Sequence, residues 1–286
     1  MKMISALFSV VISVAAITAL AGPAEAASSP WVDTMGARLR MIAPGGPADE
    51  TGAVRAGIEI SLEDGWKTYW RNPGDAGLPP KFEFAGSTNI KNITVSYPFP
   101  KRDSDGYSTS MIYKHQVVFP VHITPADTSL PMILKLRADY GVCKDVCVPA
   151  TAEVSMILSA HTAADDDVTA RVNRAFADVP RPTAVGSDLS VVSVRPGKDA
   201  KSGKPVLNVT VRMADPASDH DLFVEGPLDW FLPAPERVSS DDAGAVYQVA
   251  LDGLPKNTKL GGRDLVFTLV NNKRAVEQNW RLDVAP

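Results

Sequence analysis

Two cysteines occur in the chain, Cys143 and Cys147, and both lie in the run Tyr140-Gly-Val-Cys-Lys-Asp-Val-Cys-Val-Pro149. A thiol pair this close in sequence can close to a disulfide, open to a dithiol, or hold a soft metal ion. Along an extended strand, residues four apart are separated by about 13 Å, whereas a disulfide spans Cα atoms roughly 4.4 to 6.8 Å apart. The intervening segment must therefore turn back, as a tight hairpin or one helical turn, and Gly141 just upstream suits the bend. As a staple, so short a closed loop contributes only about 2 kcal/mol, against about 3 kcal/mol for a 15-residue loop. Strain or exposure would raise its reduction potential and favour exchange over permanence. Spacing alone leaves three readings open: a redox pair, a bridge that pins a hairpin end, and a metal site in which His115 or His122 joins the thiolates around Cu(I) or Zn(II). Beside the pair, Lys144 favours a thiolate and Asp145 opposes one.

The compartment bears on that choice. The chain opens Met1-Lys-Met, continues through an apolar run from Ile4 to Leu20, and reaches Ala24-Glu25-Ala26. This order of charge, apolar stretch and small-x-small site is that of a secretory signal peptide, with cleavage expected after Ala26. No later segment reaches about 18 uninterrupted apolar residues, so no membrane span is expected in the mature chain. An oxidising compartment favours the disulfide, but two cysteines in so long a chain are not a disulfide framework. With 45% hydrophobic residues, ordinary cores can form. The net charge of -4 supplies no basic footprint for nucleic acid or anionic lipid, which leaves proteins or small molecules as partners.

The elements that must position the pair read as strands. Short alternating or apolar runs separated by turn residues occur at Arg55 to Leu62, Lys81 to Phe84, Lys91 to Tyr97, Gln116 to Ile123, Met132 to Ala138 and Glu153 to Leu158, a pattern expected of a β-sandwich. Asp165 to Phe176 reads instead as a short helix with acids in its first turn and arginine later. Val179-Pro-Arg-Pro-Thr-Ala-Val-Gly186 then stiffens the chain like a linker. Strand-like runs resume at Leu189 to Val194, Pro205 to Arg212, Asp221 to Val224, Ala245 to Leu251, Asp264 to Val270 and Ala275 to Leu282. The fold class expected is all-β: two immunoglobulin-like β-sandwich domains joined by a short helix and linker. The boundaries are 1–26 for the signal peptide, 27–160 for the first domain, 161–183 for helix and linker, and 184–286 for the second domain.

Other chemistries find little support. Four histidines are present, but no Gly-x-Ser-x-Gly elbow and no phosphate-binding or dinucleotide loop accompanies them. His115 and His122, seven residues apart, fall on opposite faces of a regular strand. Asn92-Ile-Thr and Asn208-Val-Thr match the glycosylation sequon but read as strand residues. The aromatic cluster of Trp66, Tyr69 and Trp70 reads as core and hairpin packing rather than a recognition surface, and Asn72-Pro-Gly and Leu78-Pro-Pro as turn chemistry.

Three blocks between about residues 55 and 158 resemble the N-terminal periplasmic domain of the DsbD/ScsB-type thiol:disulfide interchange proteins. They are Leu62-Glu-Asp-Gly-Trp-Lys-Thr-Tyr-Trp-Arg-Asn-Pro-Gly-Asp-Ala-Gly-Leu-Pro-Pro80, Ser104-Asp-Gly-Tyr-Ser-Thr-Ser-Met-Ile-Tyr-Lys-His-Gln-Val-Val-Phe-Pro-Val121, and the cysteine run itself. The resemblance implies a periplasmic immunoglobulin-like domain whose cysteine pair sits on a β-hairpin and cycles between dithiol and disulfide. Cys147 would be the exchange residue and Cys143 the resolving one, with thioredoxin-like periplasmic or membrane-tethered proteins as redox partners and no cofactor or metal. It further implies an aromatic-bearing cap loop near Asp103 to Ser110, with Tyr107 as the capping ring, Phe99 as a second candidate, and Tyr140 shaping the site. The three-residue interval between cysteines matches the ScsB-like branch. The membrane and thioredoxin-like domains of the full-length family are not found in this sequence. Two competing functions remain: an immunoglobulin-like adaptor or chaperone with a structural disulfide, and a periplasmic copper-binding protein.

Overall fold

The computed structural model describes residues 28–45, 52–159, 162–214, 219–272 and 274–283, so the expected signal peptide and His161 lie outside the described residues. The first part of the chain forms β1 (Val32–Thr34), β2 (Ala37–Ile42), β3 (Val54–Leu62), β4 (Lys67–Gly74), β5 (Lys81–Glu83), β6 (Ile90–Val95), β7 (Lys101–Ser104), β8 (Thr109–Lys114), β9 (Gln116–Pro125), β10 (Met132–Cys143) and β11 (Cys147–Leu158). Helix α1 (Asp166–Ala177) follows, and then β12 (Arg181–Pro182), β13 (Leu189–Lys198), β14 (Pro205–Met213), β15 (His220–Glu225), β16 (Glu236–Asp241), β17 (Gly244–Ala250), β18 (Asp264–Asn271) and β19 (Ala275–Arg281). The all-β fold read from the sequence is the one observed, with α1 the helix among the described residues.

The first eleven strands make two facing sheets, ordered β1-β2-β3-β9-β6 and β11-β10-β4-β8-β7, with β5 pairing β10. Alternation explains the core between them, because successive side chains of a strand point to opposite faces. Leu39, Ile58, Ile60, Phe119 and Val121 point inward from one sheet and meet Trp70, Met111, Tyr113, Leu134, Leu136 and Val142 from the other. Later strands form the sheets β12-β19-β18-β15 and β13-β14-β17-β16 around a second core that includes Leu207, Val209, Tyr247, Phe267 and Leu269.

Helix α1 begins where the acids predict. Asp165 is its N-cap and accepts a hydrogen bond from the Val168 N–H, while Asp166 and Asp167 occupy the first turn. It does not stand free between the sandwiches. Val168, Val172 and Ala175 pack on Ile42 and Val118, on the outer face of the first sheet. Arg171 reaches the fully buried carboxylate of Glu59, with Nη1 3.2 Å from Oε1. Arg40 Nε donates to the other oxygen at 2.6 Å, and Gln116 Nε2 also donates to Oε1. A buried carboxylate without such partners would carry a desolvation cost of several kcal/mol.

The two sandwiches share a packed boundary. In β15, Asp221, Phe223 and Glu225 point away from their own core, as do Val270 of β18 and Ala275 and Glu277 of β19. Phe223, Val270 and Ala275 join the first core, with the Phe223 ring centroid 5.7 Å from that of Trp70. Around this apolar centre Arg71 pairs with Glu225 and Glu277, and Arg102 forks onto Asp221.

Candidate functional site

The cysteines occupy the closing positions of the β10–β11 hairpin. Cys143 and Cys147 are directly opposed in register, and Lys144, Asp145 and Val146 make an exposed turn between them. Opposed residues of an antiparallel pair have Cα atoms about 4.5 to 5.5 Å apart with side chains on one face, which lies within the disulfide range. The two sulfurs are 2.7 Å apart as free thiols. Of the two turns the spacing permits, the chain uses the hairpin because β10 and β11 pair continuously from Met132↔Leu158 to the cysteines.

The two sulfurs are unequal. Cys143 is 6% exposed, packed with Tyr69 and Ile112, whereas Cys147 is exposed at the hairpin end. Burial pushes the Cys143 thiol up, and the hydrogen bond with Cys147 adds to this, while Tyr69 and Lys67 pull the other way. Because the fold favours the neutral thiol, the associated stability is intact below the ordinary thiol pKa and is lost as pH rises through the raised value. Cys143 is therefore expected to alkylate more slowly than Cys147 at neutral pH and to gain reactivity only above the ordinary thiol range of about 8.5. A mass-spectrometric time course of iodoacetamide labelling at several pH values checks this, and equal labelling at pH 7 would contradict it.

Register identifies the neighbours of the pair. Lys67 lies directly across from Cys143, and Lys114 directly across from Lys67, so all three share the outer face of the sheet with Cys147 and, two residues along, Tyr69. The Tyr69 hydroxyl is 2.9 Å from Cys147 Sγ. Its phenol is held well above its usual range by burial and, secondarily, by the two thiols, so it keeps its proton. Lys67 Nζ and Lys114 Nζ bracket the Asp103 carboxylate at 2.8 and 2.7 Å. Those two ammonium groups depress the Asp103 carboxyl. Burial opposes the charge on Lys67, but Asp103, with smaller help from the thiols, outweighs it and raises its pKa.

The Tyr69 ring is seated by missing side chains. A Cβ on Gly77 would fall 2.3 Å from Tyr69 Cε1, and one on Gly141 would fall 3.1 Å from Cδ2 and 2.8 Å from Leu78 Cβ. Gly77 also has φ +127°, a conformation that disfavours any other residue. These contacts draw the segment from Asp75 to Pro80 across the outer face. Leu78 O accepts from the Gly141 N–H at 3.2 Å, Ala76 O accepts from Ser110 Oγ at 3.0 Å, and Asp75 Oδ2 accepts from the Thr109 N–H at 2.8 Å. This covering explains why β10 alternates buried and exposed residues up to Arg137 but is buried on both faces from Tyr140 to Cys143.

Of the three aromatic residues expected to cap or shape the site, none is among the side chains packed with Cys143 or hydrogen-bonded to Cys147. Tyr107 stands 99% exposed in the β7–β8 turn, where Asp105 Oδ1 accepts from its N–H. Tyr140 points into the core, on the opposite side of the sheet from Cys143, and its hydroxyl is 3.0 Å from Thr34 Oγ1. Phe99 packs beside the first core and lines a cavity of about 400 Å³ between α1 and the β8–β9 turn. His115 lines the same cavity, and among the described residues no group of three or more His, Cys, Asp or Glu side chains could hold a metal ion. Tyr69 and Lys67 were not singled out as site residues. Their signal, the odd positions of Lys67-Thr-Tyr-Trp70, acquires meaning only once β4 is registered against Cys143.

Residues 44–159 match the family described as the N-terminal part of thiol:disulfide interchange protein DsbD. That segment is of the DsbD N-terminal type. Residues 178–285 match a domain of unknown function, DUF8393. The crystal structure of the N-terminal periplasmic domain of ScsB from Proteus mirabilis is similar in fold, with a TM-score of 0.68 at 21% identity, covering 91% of this chain and 99% of that one. The likeness to that ScsB domain therefore runs through both sandwiches. No curated protein matches the chain. Both cysteines lie inside the segment that matches the DsbD N-terminal family, and no helix among the described residues is long and apolar enough to cross a membrane.

Proposed function

We propose that the chain is a periplasmic thiol:disulfide interchange protein that passes electron pairs between thioredoxin-fold partners through Cys143 and Cys147. The observation that carries this reading is the asymmetry of the pair: an accessible Cys147 beside a buried Cys143, with a protonated phenol 2.9 Å from the accessible sulfur. In the reduced form the Cys147 thiolate attacks one sulfur of a partner disulfide and expels the other as a thiolate. Cys143 then loses its proton and attacks Cys147 Sγ, which breaks the mixed disulfide, releases the partner sulfur bonded to Cys147 as a thiolate and leaves the Cys143–Cys147 disulfide. Two electrons and two protons leave the chain, and the reverse sequence recharges it. Tyr69 donates a hydrogen bond to Cys147 whenever that sulfur carries charge, as nucleophile or as leaving group. Residues 27–160 form the exchange unit in this reading, 161–183 join it to a second unit at 184–286, and periplasmic residence follows by analogy with the ScsB domain.

The test is a stopped reaction of the reduced chain with an oxidised thioredoxin-fold protein, read by gel shift after alkylation. Transfer of both electrons is expected, and a reduction potential below about -300 mV with no transfer would favour a structural disulfide. In the same assay Tyr69→Phe should slow transfer about three- to tenfold. A hydrogen bond to a charged group is worth about 1.5 to 3 kcal/mol, and roughly half of that is offset because an unbonded sulfur is the stronger nucleophile. An unchanged rate would remove Tyr69 from the mechanism.

A further inference from the structure

The interface between the sandwiches is built on the same two strands that hold the neighbours of the thiols. Arg71 lies two residues beyond Tyr69 on β4, and Arg102 immediately precedes Asp103 on β7. Strand β4 needs outside support at that point. Its pairing with β10 covers only Lys67 and Thr68, and its pairing with β8 breaks after Tyr69 and resumes at Gly74. Residues 70 to 73 thus have no ladder partner among the described residues, and the first domain holds this stretch through the burial of Trp70 rather than through strand pairing.

The second domain supplies the anchors. Arg71 Nε is 3.0 Å from both carboxylate oxygens of Glu225, and its Nη2 is 2.6 Å from Glu225 Oε2 and also donates to Glu277. Asn72 Nδ2 donates to the Val224 carbonyl at 3.0 Å, and Trp70 packs on Phe223. Strand β7, an edge strand paired among the described residues only with β8, is held by Arg102, which donates to both oxygens of Asp221 and to the Leu222 carbonyl. Bidentate arginine pairs fix direction as well as distance.

We infer that the second β-sandwich is a positioning domain for the thiol site: through Arg71, Asn72 and Arg102 it fixes β4 and β7, and so holds the Tyr69 hydroxyl on Cys147 and Asp103 on Lys67. Reacting groups tolerate little displacement, since a shift of about 1 Å can cost two orders of magnitude in rate. The inference rests on the exchange reading for its consequence, but not for its geometry, which the reactivity of Cys147 toward a small reagent reports directly.

The experiment uses the full reduced chain and four variants: Glu225→Gln combined with Glu277→Gln, Asn72→Ala, Tyr69→Phe, and the charge-neutral pair placed on Tyr69→Phe. Thermal melting establishes which are folded, and Asn72→Ala, which leaves every ion pair in place, serves if the double variant does not fold. Iodoacetamide labelling of Cys147 at pH 7 is the primary readout, and exchange with an oxidised thioredoxin-fold protein is measured beside it. Loss of the hydrogen bond that Tyr69 gives the reacting sulfur should slow labelling about threefold in the interface variants. The interface substitutions should add nothing on the Tyr69→Phe background, because coupled residues are not additive. Native labelling rates in folded interface variants, or effects that simply multiply with Tyr69→Phe, would overturn the inference. Retained coupling in labelling without any electron exchange would overturn the exchange reading and leave the positioning role standing.

Discussion

A Cys143→Ser protein is expected to capture a thioredoxin-fold partner covalently, and a Cys147→Ser protein to capture none. The probe is a single-cysteine thioredoxin-fold protein activated as its thionitrobenzoate mixed disulfide. Cys147 attacks it, releases coloured thionitrobenzoate, and forms a protein–protein disulfide. In the native chain Cys143, 2.7 Å away, then attacks Cys147 and frees the partner as a thiol, so the complex is transient. Serine at position 143 nearly preserves shape but cannot resolve the complex, which should persist through non-reducing electrophoresis. Serine at position 147 leaves only the buried thiol, whose pKa is raised by burial, and capture should fall to background. Capture through Cys143 in the Cys147→Ser protein would reverse the assignment of attacking and resolving residues.

The largest loss of stability should come from Trp70→Ala. Trp70 is fully buried, belongs to the first core, and meets Phe223 of the second sandwich, so truncation opens a cavity where two cores join. Removing a buried aromatic costs about 3 to 5 kcal/mol. At about 2 to 4 °C per kcal/mol for chains of this size, the melting temperature should drop by roughly 10 °C. Because the cavity adjoins the anchors of β4, labelling of Cys147 should change as well. Trp70→Phe should cost less, since it keeps most of the apolar volume and removes an indole N–H that has no hydrogen-bond partner among the described residues. Calorimetry of both variants checks the order, and a drop of less than 2 °C for Trp70→Ala would mean that the two cores do not meet at this residue.

Strands marked by regular alternation or by a continuous apolar run were the most legible. Pro205–Met213 and Asp264–Asn271 lie within a residue or two of the expected runs, because a buried face imposes alternation or continuous apolar character. Met132–Cys143 was read only as far as Ala138, since its last four residues are buried on both faces and alternation stops. Glu236–Asp241 escaped the reading because every one of its residues is exposed at a sheet edge and nothing apolar marks it. At the site, cysteine spacing and neighbouring motifs pointed to the pair, and Tyr107, named as the capping ring from the resemblance, stands exposed in the β7–β8 turn. Tyr69 was assigned to packing because a buried aromatic in a Trp-rich strand looks the same in sequence whether or not its hydroxyl meets a sulfur.

By itself the sequence determined what local rules decide: an all-β chain, a helix with its acidic cap, and a thiol pair that had to fold back on itself. Each follows from side-chain period, turn chemistry or the short reach of a disulfide. Only the tertiary structure decided which sulfur is exposed, that Tyr69 and Lys67 face the pair, and that Arg71 and Arg102 tie their strands to the second sandwich. Those are matters of register between strands far apart in the chain, from Lys67 to Cys143 and from Arg71 to Glu277. No local pattern encodes such pairings, because they are set by how two sheets and two cores close on one another.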